Sequence, residues 1–442
     1  MNSRDLAYIA LVKFDSSQER ISSILDSLLL THRLSQRDKK FYFNLTNGVL
    51  RHRNLLDWKA SNYYHGKYAK AHNKLKNLFR LAFYEIEFLD HIPPRATVNE
   101  YVDLARKKLN PRAASLLNAV LRNSLRDKNP PDPQKKFKYT ATQLSVKYSY
   151  PEWLILRWIG VWGEERTEKL CQSMNQRPDF DVHINPDKIS ISEFEKDLVN
   201  ESIGFKRSTF SKQVFKITDV QSLQKTGWLK NGICRVQDES GRIPVELLST
   251  KKNSLVLDAC AAPGSKFVTL KDIYSDEINL IGAEIFGDRL SRLSQNCASW
   301  GISPHHLVLS DSRHPPFNRI FDHILLDVPC TGLGTIRKNP DIKWRRKEDE
   351  LPEFQQLQLS LLDSMTNLIK PGGTIVYSTC TIDPMENEEV IDIFLHQHKD
   401  MFQIITPDQK NLRPFLEGDF IRTYPDRDDM EGSFAAKLQY LG

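Results

Sequence analysis

Residues 254–266 read Ser254-Leu255-Val256-Leu257-Asp258-Ala259-Cys260-Ala261-Ala262-Pro263-Gly264-Ser265-Lys266. A short β-forming run ends in an aspartate, a turn of small residues follows, and a helical pattern begins at the lysine. Such a turn brings a ligand against backbone N–H groups at a helix N-terminus. It is neither a GxGxxG fingerprint nor a P-loop, because Lys266 is followed by Phe267 and the preceding glycine lies too close. A dinucleotide or a nucleotide γ-phosphate is therefore disfavoured. A plain strand–helix turn is the competing reading, and the downstream sequence decides between them.

Short apolar runs recur at Leu280–Ala283, His306–Leu309, His323–Leu326 and Thr374–Tyr377, with helical patterns at Arg289–Trp300 and Glu353–Ile369. Parallel strands buried on both faces read as such continuous runs. The expected fold is a doubly wound, Rossmann-like α/β sheet. Glu284 ends the second run, Asp311 follows the third and Asp327 the fourth. Ligands of these sheets bind outside the carboxyl ends of the strands. There Glu284 can take both ribose hydroxyls of an adenosine, and Asp311 lies within reach of an adenine edge. One strand-end aspartate is often only a helix cap. Four strand-end carboxylates, Asp258 included, suit a nucleoside bearing an amino-acid tail, namely S-adenosyl-L-methionine.

Upstream the character changes twice. Residues up to about 128 carry apolar positions at three- and four-residue spacing, as in Ile21, Ile24, Leu25 and Leu28, so they read as helical. Pro93-Pro94 ends one helix, and Thr97 with Glu100 is expected to form a capping box. Asn110-Pro111 separates two further helices, and Asn129–Pro133 is a linker. Two short helices then contain Trp158 and Cys171, and β-like pieces follow at Val182–Asn185 and Val214–Ile217. Three domains result: helical residues 1–140, a small α+β connecting module over 141–235, and a catalytic α/β domain over 236–442.

The chain has 442 residues and a net charge of +6. Residues 1–140 hold 26 Lys and Arg against 13 Asp and Glu, a balance of +13, and the remainder carries −7. Such asymmetry points to a polyanionic partner for the basic part, with nucleic acid the leading candidate. The apolar run Ile21–Leu30 is broken by Asp26, so neither a membrane span nor a signal sequence is expected. Six widely spaced cysteines without a CxxC pair argue against disulfides and a metal knuckle, and fit a reducing cytoplasm.

Two of those cysteines lie just past apolar runs, Cys330 in DVPCTG at 327–332 and Cys380 in STC at 378–380. Both fall where the cofactor's reactive end would point. Together with CAAPGSK at 260–266, RKNPDIKW at 337–344, NEEV at 387–390 and VQDES at 236–240, they make the chain resemble the Sun/Fmu (RsmB-type) RNA cytosine-5 methyltransferases. LSQRDKKFYFNLTNGVLRHRNLLDW at 34–58 resembles the helical RNA-binding fold of the antiterminator NusB. The resemblance covers essentially the whole chain. It implies an enzyme acting on 16S small-subunit ribosomal RNA, with Cys380 as nucleophile and Cys330 assisting product release. The implied cofactor set is Cys260, Ala261, Ala262, Pro263, Gly264, Ser265, Lys266, Glu284, Arg289, Asp311 and Asp327. Ser265 stands where the family usually has Gly, Glu284 where Asp is commoner, and EGSF at 431–434 where DGFF is usual. None of these departures removes a reacting group.

Carbon 5 of cytosine is a poor nucleophile until a thiolate adds to carbon 6, and a second group must then help the carbon 5 proton leave. Asp327 is expected to hydrogen-bond the ring and compensate its charge. The target base must be unstacked, in a loop or a remodelled helix. Arg337, Lys338, Lys343, Arg345 and Arg346 read as a basic cluster beside Cys330 able to bind flanking phosphates. No metal is implied, and a monomer is expected. A DNA cytosine methyltransferase using Cys330 as nucleophile is disfavoured by the second thiol and by the lack of a target-recognition domain. A non-catalytic RNA-binding assembly factor is disfavoured because both thiols and the cofactor loop are present.

The charge division predicts that the helical domain supplies much of the RNA affinity. Deleting residues 1–140 should weaken RNA binding and flatten its salt dependence, since log K falls by ~0.7–0.9 per phosphate contact per log unit of salt. Titrations at several salt concentrations measure this, and an unchanged slope would make the helical domain a protein-docking module.

Overall fold

Side-chain caps begin several of the first helices. The Asn2 side chain accepts the Asp5 N–H ahead of the helix Ser3–Ser16, Ser35 that of Asp38 ahead of Gln36–Arg51, and Asn110 that of Ala113 ahead of Pro111–Arg126. Each satisfies a donor that the first helical turn leaves unpaired. The computed structural model describes residues 1–442 except 275–276, 304–305 and 318–320. It divides into one unit of residues 1–175 with 339–348, and another of 176–338 with 349–442.

In the first unit the seven helices from Ser3 to Arg126 enclose a core in which Tyr42, Phe79 and Tyr101 are fully buried. Each such aromatic contributes about 1.5–3 kcal/mol of transfer free energy. Thr97 does not cap a helix. That helix starts at Pro94, whose missing N–H costs nothing at a first turn. The Thr97 hydroxyl instead donates to the fully buried Glu85 at 2.7 Å, a carboxylate also held by Arg4 at 2.7 Å. A buried charge needs such partners. Helices Thr140–Tyr148 and Glu152–Asn175 follow, the latter broken at Gly163 into the two pieces read from sequence.

Residues 339–348 belong to this helical unit, which overturns part of the phosphate-binding reading. The Lys343 ammonium, 1% exposed, donates to the carbonyls of Arg51 and Ser149 at 3.1 Å and to Asn175 Oδ1 at 2.8 Å. It also lies 3.7 Å from the Tyr150 ring centroid. The Arg345 guanidinium donates to the carbonyls of Phe14, Ser17 and Glu19 at 2.6–2.8 Å, capping the C-terminal end of the first helix. Asp341 accepts the Ile21 N–H at 3.3 Å at the start of the second, and Trp344 donates to the Leu50 carbonyl at 2.7 Å. Cations at helix C-termini and an anion at an N-terminus are the favourable pairings with the helix dipole. These side chains are consumed by helix ends and do not face a phosphate.

The second unit contains two sheets. A four-stranded antiparallel sheet is formed by β1 (Phe180–Ile184), β2 (Phe205–Arg207), β3 (Val214–Ile217) and β4 (Cys234–Val236), in the order β2-β3-β1-β4. The larger sheet comprises β5 (Leu255–Asp258), β6 (Asn279–Glu284), β7 (Leu307–Leu309), β8 (Phe321–Asp327), β9 (Ile369–Thr379), β10 (Phe402–Ile404), β11 (Leu416–Glu417), β12 (Phe420–Thr423) and β13 (Ser433–Tyr440). Its order is β11-β12-β13-β9-β8-β5-β6-β7, with β10 on β13. β5 to β9 are mutually parallel, as expected, whereas β13 runs antiparallel to β9. Alternate residues feed two cores: Val256, Leu325 and Val376 on one face, Leu257, Leu326 and Tyr377 on the other. The helix expected to reach Ile369 ends at Met365, and Ile369 opens β9. Among the described residues no helix is long and apolar enough to cross a membrane.

Replacing Lys343 with Met should leave buried carbonyls without a donor and destabilise the helical unit by on the order of 3 kcal/mol. Denaturant unfolding followed by far-UV circular dichroism measures this; an unshifted midpoint would mean that other donors take over. For the same reason, deleting residues 1–140 strips residues 339–348 of their partners as well as removing a basic surface.

Candidate active site

From β5 the chain steps outward through β6 to β7, then returns to place β8 on the other side of β5. The strand order reverses there, and it is at the carboxyl ends of strands beside such a reversal that α/β sheets bind ligands. Asp258 and Asp327 are the last residues of these two strands. Asp327 sits in register with Ser378 of β9, so Cys330 and Cys380 emerge at the same edge, with their sulfurs 3.2 Å apart.

The loop after Asp258 is suspended between neighbouring strands. The Ala259 N–H donates to the Leu325 carbonyl and that of Ala261 to the Ala283 carbonyl, both at 2.9 Å. Gly264 has φ +107°, and a Cβ there would lie 2.5 Å from Leu293 Cδ1, so this turn requires glycine. Lys266 donates to Asp327 Oδ2 at 2.7 Å, and the Ser378 hydroxyl donates to Oδ1 at 2.8 Å. Burial depresses the Lys266 ammonium, but the charge and hydrogen bond of Asp327, with Cys380 nearby, more than offset it and leave its pKa raised. A cation thus stands near Cys380.

Asp258 is fully buried, and neither carboxylate oxygen has a side-chain partner among the described residues. Burial, reinforced by the charges of Asp327 and Glu284, pushes its carboxyl up to about 8. Glu284 is buried; Oε1 accepts the Phe286 N–H at 3.0 Å and lies 3.7 Å from Arg289, while Oε2 has no partner among the described residues. Asp311 is already clamped by Arg313, which donates to both its oxygens at 2.6–3.0 Å and lowers its pKa.

The thiols separate by environment. Burial pushes Cys297 up to about 11 and Cys234 to about 12, and raises Cys171, so these three are apolar core groups. Cys260 is also raised, by burial and then by Asp258, Asp327 and Glu284. Cys330 is raised first by its hydrogen bond with Cys380, then by burial and the negative charge of Glu386. Cys330 and Cys380 thus share one hydrogen bond, and burial with nearby negative charge favours the protonated form of Cys330.

Arg337 and Lys338, expected to face phosphates, are paired instead. Arg337 donates to Asp429 at 2.5 Å, and Lys338 donates to Asp238 and lies 3.6 Å from Glu431. Asp238 also accepts the Glu431 N–H at 3.1 Å, so the VQDES and EGSF motifs meet through one lysine. The Gly432 N–H donates to the Gly334 carbonyl at 2.9 Å, and the Gly334 N–H to the Cys380 carbonyl at 3.1 Å. A Cβ on Gly334 would lie 1.9 Å from the Gly432 oxygen, so the backbones meet here only because both residues lack side chains. Sequence reasoning missed Ser378, Thr331 and Gly432 as parts of the site. Its signal for Gly432 was EGSF, read there only as a poor motif match.

Three features suit S-adenosyl-L-methionine: Asp258, buried without a side-chain partner, for the amino group; the free Glu284 oxygen for ribose; and the glycine turn for close approach. Fold and loop together define an S-adenosyl-L-methionine-dependent methyltransferase. Residues 245–439 match the family of 16S rRNA methyltransferases RsmB/F, residues 150–224 its ferredoxin-like domain, and residues 1–126 the NusB family. The chain is 31% identical to the probable ribosomal RNA small subunit methyltransferase B of Synechocystis, covering 99% of each chain. It is 30% identical to ribosomal RNA small subunit methyltransferase B of Escherichia coli K12, covering 95% of this chain and 96% of that one. The crystal structure of PH0851 aligns over 99% of both chains, with a TM-score of 0.81 and 25% identity. The chain belongs to the RsmB/F methyltransferase family, as its motifs implied.

Replacing Glu284 with Ala should weaken S-adenosyl-L-methionine binding roughly 10–100-fold, the worth of one or two hydrogen bonds to a charged acceptor. Calorimetric titration of the folded variant measures it, and an unchanged affinity would remove Glu284 from the cofactor set.

Proposed function

We propose that this protein methylates carbon 5 of a cytosine in 16S ribosomal RNA through a covalent bond between Cys380 and carbon 6. The observation that carries this reading is the pair of thiols 3.2 Å apart at the cofactor edge of the sheet. The relatives' names support a small-subunit ribosomal RNA substrate. Exposed Arg33, Arg37, Arg95, Arg112, Arg122 and Lys128 on the helical unit support phosphate contacts that position the RNA.

The roles follow from the environments. Cys330 and the Lys266 ammonium both lie beside the attacking thiol, Cys380. Its thiolate adds to carbon 6 of an unstacked cytosine, and the electron density released makes carbon 5 nucleophilic. S-adenosyl-L-methionine, held by the 260–266 loop, Asp258, Glu284, Arg289 and Asp311, supplies the methyl group. Asp327, held as an acceptor by Lys266 and Ser378, would take a hydrogen bond from the cytosine amino group, and the Lys266 ammonium beside it would offset the negative charge developing on the ring. Cys330, its own proton lost to solvent, takes the proton from carbon 5; the electrons of that bond re-form the carbon 5–carbon 6 double bond as the sulfur–carbon 6 bond breaks, and Cys380 leaves as thiolate.

Alanine substitution at each thiol tests the assignment on RNA containing 5-fluorocytidine and on unmodified RNA. Cys380→Ala should form no denaturant-resistant adduct. Cys330→Ala should trap adduct even on unmodified RNA, because release lacks its base. An adduct lost only with Cys330→Ala would reverse the two roles.

A further inference from the structure

Behind the thiols lies a buried carboxylate to which the chemistry above assigns no part. Glu386 ends the short turn Pro384–Glu386, and its side chain is fully buried. Its Oε2 accepts the Thr331 N–H at 2.8 Å and the Gln358 amide at 3.0 Å, and its Oε1 accepts the Thr331 hydroxyl. The same Gln358 amide donates to the Pro329 carbonyl at 3.0 Å. Cys330 lies between Pro329 and Thr331, so both its neighbours are tied to this one carboxylate.

The other thiol is held from the same place. Thr331 Oγ1 lies 3.1 Å from Thr381 Oγ1. Its single proton is given to Glu386, so it must accept from Thr381. Asn387, the next residue, accepts the Thr379 hydroxyl at 2.6 Å and donates to the Thr381 carbonyl at 3.1 Å. Cys380 lies between Thr379 and Thr381. The Tyr377 hydroxyl donates to the Glu386 carbonyl at 2.7 Å and pins the turn to β9. An ionised carboxylate only accepts, so it sets the direction of the Thr331 and Thr381 hydroxyls.

We propose that Glu386 is a positioning residue, clamping the Cys330 loop to the Cys380 loop through Thr331 and setting the separation of the two sulfurs. The proposal rests on the two-thiol chemistry above for its catalytic consequence, but not for its geometry. Glu386 also adds its negative charge to the influences that keep Cys330 protonated.

Two readouts test it on the full-length protein for Glu386→Gln, Thr331→Val and the conservative Thr331→Ser. In methylation assays the first two should lose about 100-fold in kcat, the scale of a misplacement near 1 Å, with KM for RNA within about 2-fold. Thr331→Ser, which keeps the hydroxyl, should recover most of the rate. The second readout needs no RNA. Diamide takes two electrons and two protons from the thiols as one S–S bond forms, and peptide mapping follows the Cys330–Cys380 product. Loosening the clamp should slow this pairing by at least about tenfold in Glu386→Gln and Thr331→Val, because effective molarity falls with lost alignment. Unchanged pairing rates overturn the proposal whatever the methylation result. A wild type that pairs its thiols quickly but forms no RNA adduct would instead overturn the chemistry and leave the clamp standing. Should Glu386→Gln not fold, the Val and Ser variants of Thr331 decide alone.

Discussion

The 3.2 Å contact between Cys330 and Cys380 depends on β8 and β9 running side by side in the same direction, with Asp327 opposite Ser378. Parallel strands deliver both carboxyl ends to one edge of the sheet, so two thiols 50 residues apart arrive together. The other parts of the site use the same edge. β5 ends there in Asp258, and β13, being antiparallel to β9, begins there. That reversal places Gly432 against Gly334 and ties the C-terminal motif to the Cys380 carbonyl.

Several cations that could have faced the substrate are spent internally. Lys266, Lys338, Lys343 and Arg345 each have a defined partner: a strand-end carboxylate, a half-buried pair of acids, or the carbonyls of helix ends. Leaving such groups unpaired in a low-dielectric interior would cost several kcal/mol each. The basic run from Arg337 to Arg346 is accordingly architectural over most of its length. In the function proposed above, phosphate contacts fall instead to the exposed arginines and lysines of the helical unit, where a solvated cation exchanges counterions for RNA at little desolvation cost.

Much of this was legible in the linear sequence. The apolar runs ending in carboxylates specified a parallel sheet with its ligand edge, because a strand buried on both faces has no polar alternation to hide it. The glycine and small residues at 260–265 announced a close backbone approach, and the two cysteines just past apolar runs announced a pair of thiols at one edge of the sheet. Side-chain type and short-range spacing carried these signals. Other features had no local signature. Ser433–Tyr440 reads Ser-Phe-Ala-Ala-Lys-Leu-Gln-Tyr, which includes good helix formers, yet pairing with β9 and β12 makes it a strand. Thr97 carried a capping pattern, and a buried Glu85 claimed its hydroxyl. Nor could the sequence show that Lys343 closes helix ends or that Glu386 grips Thr331, since those partners lie from 55 to 292 residues away. Local periodicity and residue chemistry thus determined which elements form and which residues can react. Only the tertiary structure decided which buried charge meets which donor, because desolvation forces a pairing that is satisfied by proximity in space, whatever the separation along the chain.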